Sequence, residues 1–258
     1  MVDIHSAAQD GFSKGATNYR RGRPGYPNGI VKWLRDRIGL QPGMTAIDLA
    51  AGTGKFTESL LQTGAQVIAI EPVDAMRAQL AEALPPVEAL AGTAEAMPLA
   101  NGYADAVLSA QAFHWFATRE SLEEIRRVLK TGGRLGLVWN LPDDRVDWVV
   151  AYNDILGPFE AASPYLFRRG EWRKVFAGGI FTAPEETLMD HQYLGTAQEV
   201  IVDRALSLSF IASLLPAEQA KVTRALANLI CTHPQLTGRS TIAFPYRTYA
   251  YRCVSMPL

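Results

Sequence analysis

Two acidic residues and two glycines have the types and spacing best suited to bind a nucleotide-like ligand. Asp48 ends an apolar run within AIDLAAGTGKFT, residues 46–57, and Gly52 and Gly54 follow it. Glycines let a ligand approach the backbone closely, and a carboxylate at a strand end can accept from an ammonium group. Glu71 ends the next apolar run, where a carboxylate can accept both hydroxyls of a ribose. A nucleoside that carries a cation fits this arrangement.

Two other kinds of nucleotide site use glycine-rich loops. A P-loop needs a glycine, four residues and then Gly-Lys-Ser/Thr. Here Leu49 occupies the first glycine position, and Phe56 follows Lys55. A dinucleotide-binding loop needs a third glycine, and Thr57 stands at that position. The spacing excludes the first loop and disfavours the second, while glycines that serve only a strand-to-helix turn remain an alternative.

The elements around this loop alternate between short apolar runs and helical stretches. This alternation is typical of an α/β protein whose parallel sheet is covered on both faces by crossover helices. The predicted strands are residues 45–50, 66–71, 87–92, 104–110 and 134–139. The predicted helices after the first, second and fourth strands are residues 55–64, 73–84 and 119–133.

The composition and charge of the chain disfavour several classes of binding partner. The chain has 258 residues, of which 48% are hydrophobic, and a net charge of −1, so nothing favours a nucleic-acid ligand. No apolar run reaches the ~20 residues of a membrane helix, and the N-terminus lacks a signal-peptide pattern. We therefore expect a cytoplasmic protein without a membrane partner. Cys231, Cys253 and the scattered histidines predict no metal site, and the sequence does not indicate an oligomeric state.

Four segments of the chain occur in the order and spacing of the class I S-adenosylmethionine-dependent methyltransferases. These segments are AIDLAAGTGKFT, VIAIEPVDAM, GTAEAMPLANGYADAVLSAQAFHWF and EIRRVLKTGGRLGLVW. They most resemble the type 11 small-molecule group, including its trans-aconitate methyltransferase-like members, and GFSKGATNYRRGRPGYP and FPYRTYAYRC extend the likeness over nearly the whole chain. The resemblance implies a Rossmann-like methyltransferase fold, which is a doubly wound, mostly parallel seven-stranded sheet with a helical lid or insertion in the C-terminal part.

The resemblance also implies which residues bind S-adenosylmethionine, whose product is S-adenosylhomocysteine. The loop residues would line the methionine part, Glu71 the ribose, and the next segments the adenine and the sulfonium. The implied cofactor-binding residues are Tyr19, Arg23, Asp48, Ala50, Gly52, Thr53, Gly54, Glu71, Pro72, Met76, Thr93, Ala94, Glu95, Ala110 and Gln111. Two positions depart from the family pattern, because Ala50 replaces a usual glycine and Thr93 replaces an aspartate often found near the adenine amine.

The predicted domain organisation has three parts in one compact domain. Residues 1–140 form an N-terminal lid loop and the cofactor-binding α/β core, residues 141–240 a mainly helical acceptor-pocket or lid region, and residues 241–258 a strand that returns to the sheet. The basic, aromatic segment NYRRGRPGYP can bind a carboxylate through its arginines or can be an ordinary solvated loop.

The predicted activity is methyl transfer from S-adenosylmethionine to a small molecule by in-line displacement, which needs alignment and exclusion of water. His114 is the predicted catalytic residue, as the proton acceptor for a hydroxyl, amine or carbon acid. A hydrogen-bonded histidine in an aromatic cluster is its alternative role. A carboxylate acceptor, favoured by the arginines and the subgroup likeness, needs no base. A cofactor-binding sensor without turnover and a nicotinamide-dependent oxidoreductase are the alternative functions.

Overall fold

Seven strands of the chain form one sheet in the order β3-β2-β1-β4-β5-β7-β6. The computed structural model describes residues 24–160 and 170–256, so Tyr19 and Arg23 lie outside the described residues. The strands are β1 Thr45–Leu49, β2 Gln66–Ile70, β3 Glu88–Leu90, β4 Ala104–Ala110, β5 Leu129–Pro142, β6 Glu185–Gly195 and β7 Ile242–Val254. The pairs from β3 through β5 are parallel. The predicted α/β fold with a mostly parallel seven-stranded sheet is confirmed.

Helices connect and flank these strands. The α-helices are α1 Gly29–Trp33, α2 Thr57–Leu61, α3 Asp74–Ala83, α4 Arg119–Val128, α5 Asp147–Glu160, α6 Arg204–Leu206, α7 Ser209–Ala212 and α8 Pro216–Thr232. Two π-helices, Leu34–Ile38 and Gln198–Asp203, adjoin α1 and α6, and the 3₁₀-helices are Phe113–Trp115 and Glu171–Gly178. Within the part of the chain that the structure describes, no helix combines the length and apolarity needed to cross a membrane.

The described residues divide into two compact units. The α/β unit comprises residues 26–140, 170–189 and 248–256. Successive residues of its parallel strands are buried on opposite faces: Val107 packs in the layer that holds α4, whereas Ala106 and Leu108 pack in the layer that holds α1. Strands covered on both faces must be apolar throughout, which explains the continuous apolar runs of the sequence.

The helical unit comprises residues 24–25, 141–160 and 190–247. Its own core joins α5 and α8 to the first half of β7 through Val149, Tyr152, Leu226 and Phe244, all of them buried. Strand β6 lies within the segment predicted to be mainly helical, so that segment contains a strand as well. The three-part domain organisation stays a prediction.

The boundary between α4 and β5 differs from the sequence prediction. The predicted helix continued to Gly133, whereas α4 ends at Val128 and β5 begins at Leu129. Leu129 pairs with Ala104 of β4, and the Lys130 ammonium donates to Asp105. Pairing with a neighbouring strand, which local propensity does not register, therefore overrides the helical pattern at these residues.

Candidate functional site

Asp48 places a carboxylate inside the protein near the carboxyl end of β1. Its side chain is only 1% exposed, and its Oδ2 accepts a 2.6 Å hydrogen bond from the Thr57 hydroxyl. Its Oδ1 is buried and has no hydrogen-bond partner among the described residues. A buried polar atom without a partner costs free energy, and such atoms are therefore rare outside sites that await a ligand or water. Oδ1 is thus an acceptor available to a donor-bearing ligand.

The loop after β1 has an unusual backbone. Ala50 has a φ of 58°, in the left-handed region that costs a residue with a Cβ about 1–2 kcal/mol. Gly54 has a φ of 84°, and a Cβ at that position would lie 2.9 Å from Leu84 Cδ1. A Cβ at Gly52 would instead meet only Met76 Sδ, at 3.9 Å. Both glycines therefore have a left-handed backbone, since Gly52 has a φ of 57°, but only Gly54 is also required by packing, because Gly52 faces open space beside Met76.

Glu71 connects the loop to the end of β2. Its Oε2 accepts from the Gly52 backbone N–H at 2.8 Å, and its Oε1 accepts from the Val73 N–H at 2.9 Å. The residue is 4% exposed, and its own carbonyl accepts from Arg77 at 3.0 Å. Each carboxylate oxygen has a second lone pair, so both oxygens can still accept from hydroxyl groups. The structure thus brings Asp48, Gly52 and Glu71 together, as the sequence predicts.

Burial of these two carboxylates shifts their protonation. Burial raises the pKa of Asp48 from 3.8 to about 7, the Thr57 hydrogen bond opposes this, and the charge of Glu71 adds to it. Burial also raises the pKa of Glu71, while the hydrogen bonds from the Val73 and Gly52 N–H groups and the charge of Arg77 lower it by less. Both shifts mean that the carboxylates are destabilised without a ligand. A cation at Asp48 would relieve this cost.

The residues predicted at the adenine lie around the ends of β2 and β3. Pro72 follows Glu71, and Met76 is buried in α3. Thr93 and Ala96 exchange backbone hydrogen bonds in the turn after β3, and this turn holds the buried Ala94. The Glu95 carboxylate accepts a 2.9 Å bond from the Ser121 hydroxyl of α4. Glu95 is therefore held by α4, and its contact with adenine stays a prediction.

A second strained residue follows β4. Ala110 is the last residue of that strand, and Gln111 after it has a φ of 62°. The Gln111 backbone N–H donates to the Val138 carbonyl at 2.8 Å, which holds the unusual conformation against β5. Backbone strain of this kind persists only where the surroundings enforce it, and it concentrates at functional sites. Gln111 and Ala50 lie at the ends of neighbouring parallel strands.

His114 lies in the 3₁₀-helix after β4 and is held by an indole. The Trp139 Nε1–H donates to His114 Nδ1 at 3.2 Å, and burial alone lowers the pKa of the histidine to about 4. His114 is therefore neutral near pH 7. Its ring also lies 5.2 Å from the Trp115 ring, centroid to centroid. The predicted histidine thus lies just beyond the carboxyl end of β4, and its catalytic role stays a prediction.

Two site residues were not recognised from the sequence. The glycine pattern identifies Thr57 only as a position without the third glycine, yet its hydroxyl is the donor to Asp48. The apolar pattern predicts only a strand at Trp139, yet this residue donates to His114. Thr57 could be found from the sequence as a hydroxyl at the start of the helix that follows an acidic strand end. The contact of Trp139 with His114 could not, because it depends on the strand register that pairs Ala110 with Val138.

The donor set fits S-adenosylmethionine. Thr53 Oγ1 in the loop, like Asp48 Oδ1 in β1, is buried without a hydrogen-bond partner in residues 24–160 and 170–256. The Asp48 carboxylate can accept from the ammonium of the methionine part, and the Thr53 hydroxyl can donate to its carboxylate. The open space beside Gly52 lies next to Glu71, whose carboxylate can accept from ribose hydroxyls. Over the same ranges, no group of three or more His, Cys, Asp and Glu side chains is placed to hold a metal ion.

Comparison with known proteins shows the family of the chain. Residues 47–137 match the Methyltransf_11 family, described as a methyltransferase domain. The chain is 35% identical over 244 residues to an uncharacterized methyltransferase of Mycobacterium tuberculosis (strain ATCC 25618 / H37Rv), covering 93% of this chain and 94% of the relative. It is 34% identical over 247 residues to an uncharacterized methyltransferase-like protein of Schizosaccharomyces pombe, covering 95% and 96%.

A solved structure has the same fold. The chain superimposes with a TM-score of 0.64 on a protein from Anaeromyxobacter dehalogenans whose name describes it as a type II methyltransferase. The two sequences are 18% identical, and the superposition covers 90% of this chain and 97% of the other. At this identity the likeness supports the fold alone.

Asp48→Asn is expected to change how the stability of the cofactor-free protein depends on pH. Between pH 3.8 and about 7 the folded protein holds a proton on Asp48 that the unfolded chain has lost, so the free energy of unfolding falls as pH rises through this range. Asparagine has no charge to bury and can still accept from Thr57. The variant should therefore be about 2–4 kcal/mol more stable than wild type at pH 8, with no difference near pH 4.

Urea unfolding at pH 4, 6 and 8 measures this difference. Asp154→Asn, an exposed position on α5, is the matched control and should stay within about 0.5 kcal/mol of wild type at each pH. A stability of Asp48→Asn equal to or below that of wild type at pH 8 would contradict the assigned cost of burying this carboxylate.

Proposed function

The chain belongs to the class I S-adenosylmethionine-dependent methyltransferases, and from this premise we propose that it methylates a small molecule, with a carboxylate as the acceptor group. One observation carries the location of the cofactor site: Asp48 Oδ1 is buried, without a partner among the described residues, beside the equally buried Glu71. Two buried carboxylates suit an ammonium and a ribose, and their negative charge disfavours a phosphate.

Different residues around the loop after β1 would bind different parts of the cofactor. Asp48 would accept from the ammonium of the methionine part, and Glu71 would accept from the ribose hydroxyls. Gly52 leaves room at the backbone, and Met76 offers an apolar surface next to that space. The Thr57 hydroxyl keeps Asp48 oriented. Each of these contacts would use a hydrogen-bond acceptor or an open space that the described structure already contains.

The chain needs little acid or base chemistry for this reaction. When bound, S-adenosylmethionine supplies a methyl group on a sulfonium, and the carbon–sulfur bond breaks with its electron pair remaining on sulfur as the acceptor forms its bond to carbon. A carboxylate is already ionised at neutral pH, so the protein has only to align it and exclude water. The basic N-terminal segment and the resemblance to trans-aconitate methyltransferase-like proteins support this acceptor class.

Several sequence-based expectations enter this proposal unchanged. Residues 141–240 and the N-terminal loop, with Tyr19 and Arg23, are proposed to serve acceptor and cofactor binding. A cytoplasmic location and the absence of a nucleic-acid partner likewise stay predictions.

Glu71→Gln is expected to weaken S-adenosylhomocysteine binding 10- to 100-fold. The amide keeps the shape but has only one acceptor oxygen, so contacts to the ribose or to the Gly52 and Val73 N–H groups are lost, and a hydrogen bond to a charged group contributes about 1.5–3 kcal/mol. Isothermal titration calorimetry measures the affinity. Glu88→Gln, an exposed change on β3, is the control that should bind as wild type does. Equal affinity of Glu71→Gln and wild type would refute the ribose assignment.

The acceptor class is tested with matched compounds. Purified enzyme is incubated with S-adenosylmethionine and a panel of small carboxylic acids, each paired with its primary amide and its alcohol, and S-adenosylhomocysteine is measured. We expect product with an acid and none with its paired amide or alcohol. Turnover of the amides or alcohols without turnover of their paired acids would refute the carboxylate while leaving methyl transfer intact.

A further inference from the structure

Trp139 is a fixed hydrogen-bond donor in the α/β unit. The residue is 1% exposed, and its ring packs against Trp172 at 4.9 Å and against Tyr251 at 5.9 Å between centroids. An indole nitrogen can only donate, and a buried indole N–H normally finds an acceptor. Its acceptor is His114 Nδ1, at 3.2 Å. The packing that holds Trp139 therefore also holds one nitrogen of the histidine.

This contact determines which nitrogen of His114 carries the proton. Since Nδ1 accepts from Trp139, it cannot itself bear hydrogen, and the neutral ring must carry its proton on Nε2. The surroundings favour the neutral ring, because burial lowers the pKa of His114 to about 4. No other hydrogen bond to the imidazole occurs within residues 24–160 and 170–256. The Nε2–H is thus a donor that the rest of this unit does not use.

The same contact argues against His114 as a general base. A base must offer a lone pair to the proton it removes. The lone pair on Nδ1 is directed at the Trp139 N–H, and Nε2 already carries a proton. Removing a proton from the acceptor would require the ring to exchange its tautomer and break its bond to a buried indole. The sequence-based role of proton acceptor is therefore disfavoured by the geometry.

We propose that His114 binds the methyl acceptor as a hydrogen-bond donor through Nε2–H, and that Trp139 is the positioning residue that fixes this tautomer. The inference rests on the proposed methyl transfer and deepens it. The acceptor must present an unprotonated oxygen or nitrogen to the histidine, and a carboxylate can do so with one oxygen while the other receives the methyl group. The proposal therefore excludes a methyl acceptor that His114 would have to deprotonate.

The first test reads the tautomer directly and needs neither cofactor nor acceptor. In full-length protein labelled with ¹⁵N-histidine, long-range ¹H–¹⁵N spectra at pH 7 distinguish protonated from unprotonated ring nitrogens, and His114→Gln identifies the His114 signals. We expect His114 to be protonated on Nε2 alone. Trp139→Phe keeps an aromatic ring but removes the donor, so a population protonated on Nδ1 should appear.

Trp172→Phe makes the same change of ring in the same aromatic cluster but leaves the bond to His114 in place, and its His114 signals should match those of wild type. A wild-type His114 protonated on Nδ1, or on both nitrogens, would overturn the proposal, and so would a tautomer unchanged in Trp139→Phe. Once the His114 signals are identified, the wild-type spectrum decides the question even if neither tryptophan variant folds. None of these outcomes depends on turnover, so they are distinguishable from a failure of the proposed function.

The second test uses the acceptor found in the screen and compares His114→Gln with His114→Phe. Glutamine can still donate from its amide, whereas phenylalanine cannot. A donor role predicts that phenylalanine raises KM for the acceptor about 10- to 100-fold and that glutamine restores most of the loss. A kcat that falls equally in both variants, with KM unchanged, would show a base and overturn the proposal.

Discussion

Burial of the Asp48 carboxylate is the constraint to which the rest of the site is fitted. A carboxylate with 1% exposure and one unsatisfied oxygen is costly, and the fold retains it at the end of a central strand. Thr57 holds one oxygen and leaves the other available, while Glu71 adds a second buried negative charge. This concentration of negative charge is unfavourable for the cofactor-free protein and favourable for a cationic ligand. Asp48 thus lowers the stability of the cofactor-free protein and raises its affinity for a cationic ligand.

The strand order explains why the site lies where it does. In the order β3-β2-β1-β4-β5, the winding reverses between β1 and β4, and ligands of open α/β sheets bind at the carboxyl ends of strands beside such a point. Both residues with a Cβ and a positive φ among the described ones, Ala50 and Gln111, directly follow these two strands. Strain on both sides of the reversal indicates that the backbone there is shaped by ligand binding as well as by folding.

Apolar runs and strand ends are local properties, so the sequence predicts the parallel sheet, which is confirmed, and the positions of Asp48 and Glu71 at strand ends, where the structure has them. The sequence misses what depends on pairing between distant segments. Leu129 continues a helical pattern but joins β5 because it pairs with Ala104. The sequence predicts His114 as a site residue, but it does not show the bond from Trp139, which depends on the register of β4 and β5. The hydroxyl of Thr57 donates to Asp48 from the position where a dinucleotide-binding loop has its third glycine, so the glycine pattern does not reveal this role.

The central claim is that Asp48 binds the cofactor's ammonium as an ionised carboxylate. Calorimetric titration with S-adenosylhomocysteine at pH 6, in buffers of different ionisation enthalpy, counts the protons released on binding. Because the pKa of Asp48 in the cofactor-free protein is about 7, binding should release close to one proton at pH 6 and almost none at pH 8.5. Asp48→Asn should lose this release. A binding enthalpy that is independent of the buffer at pH 6 would contradict the account.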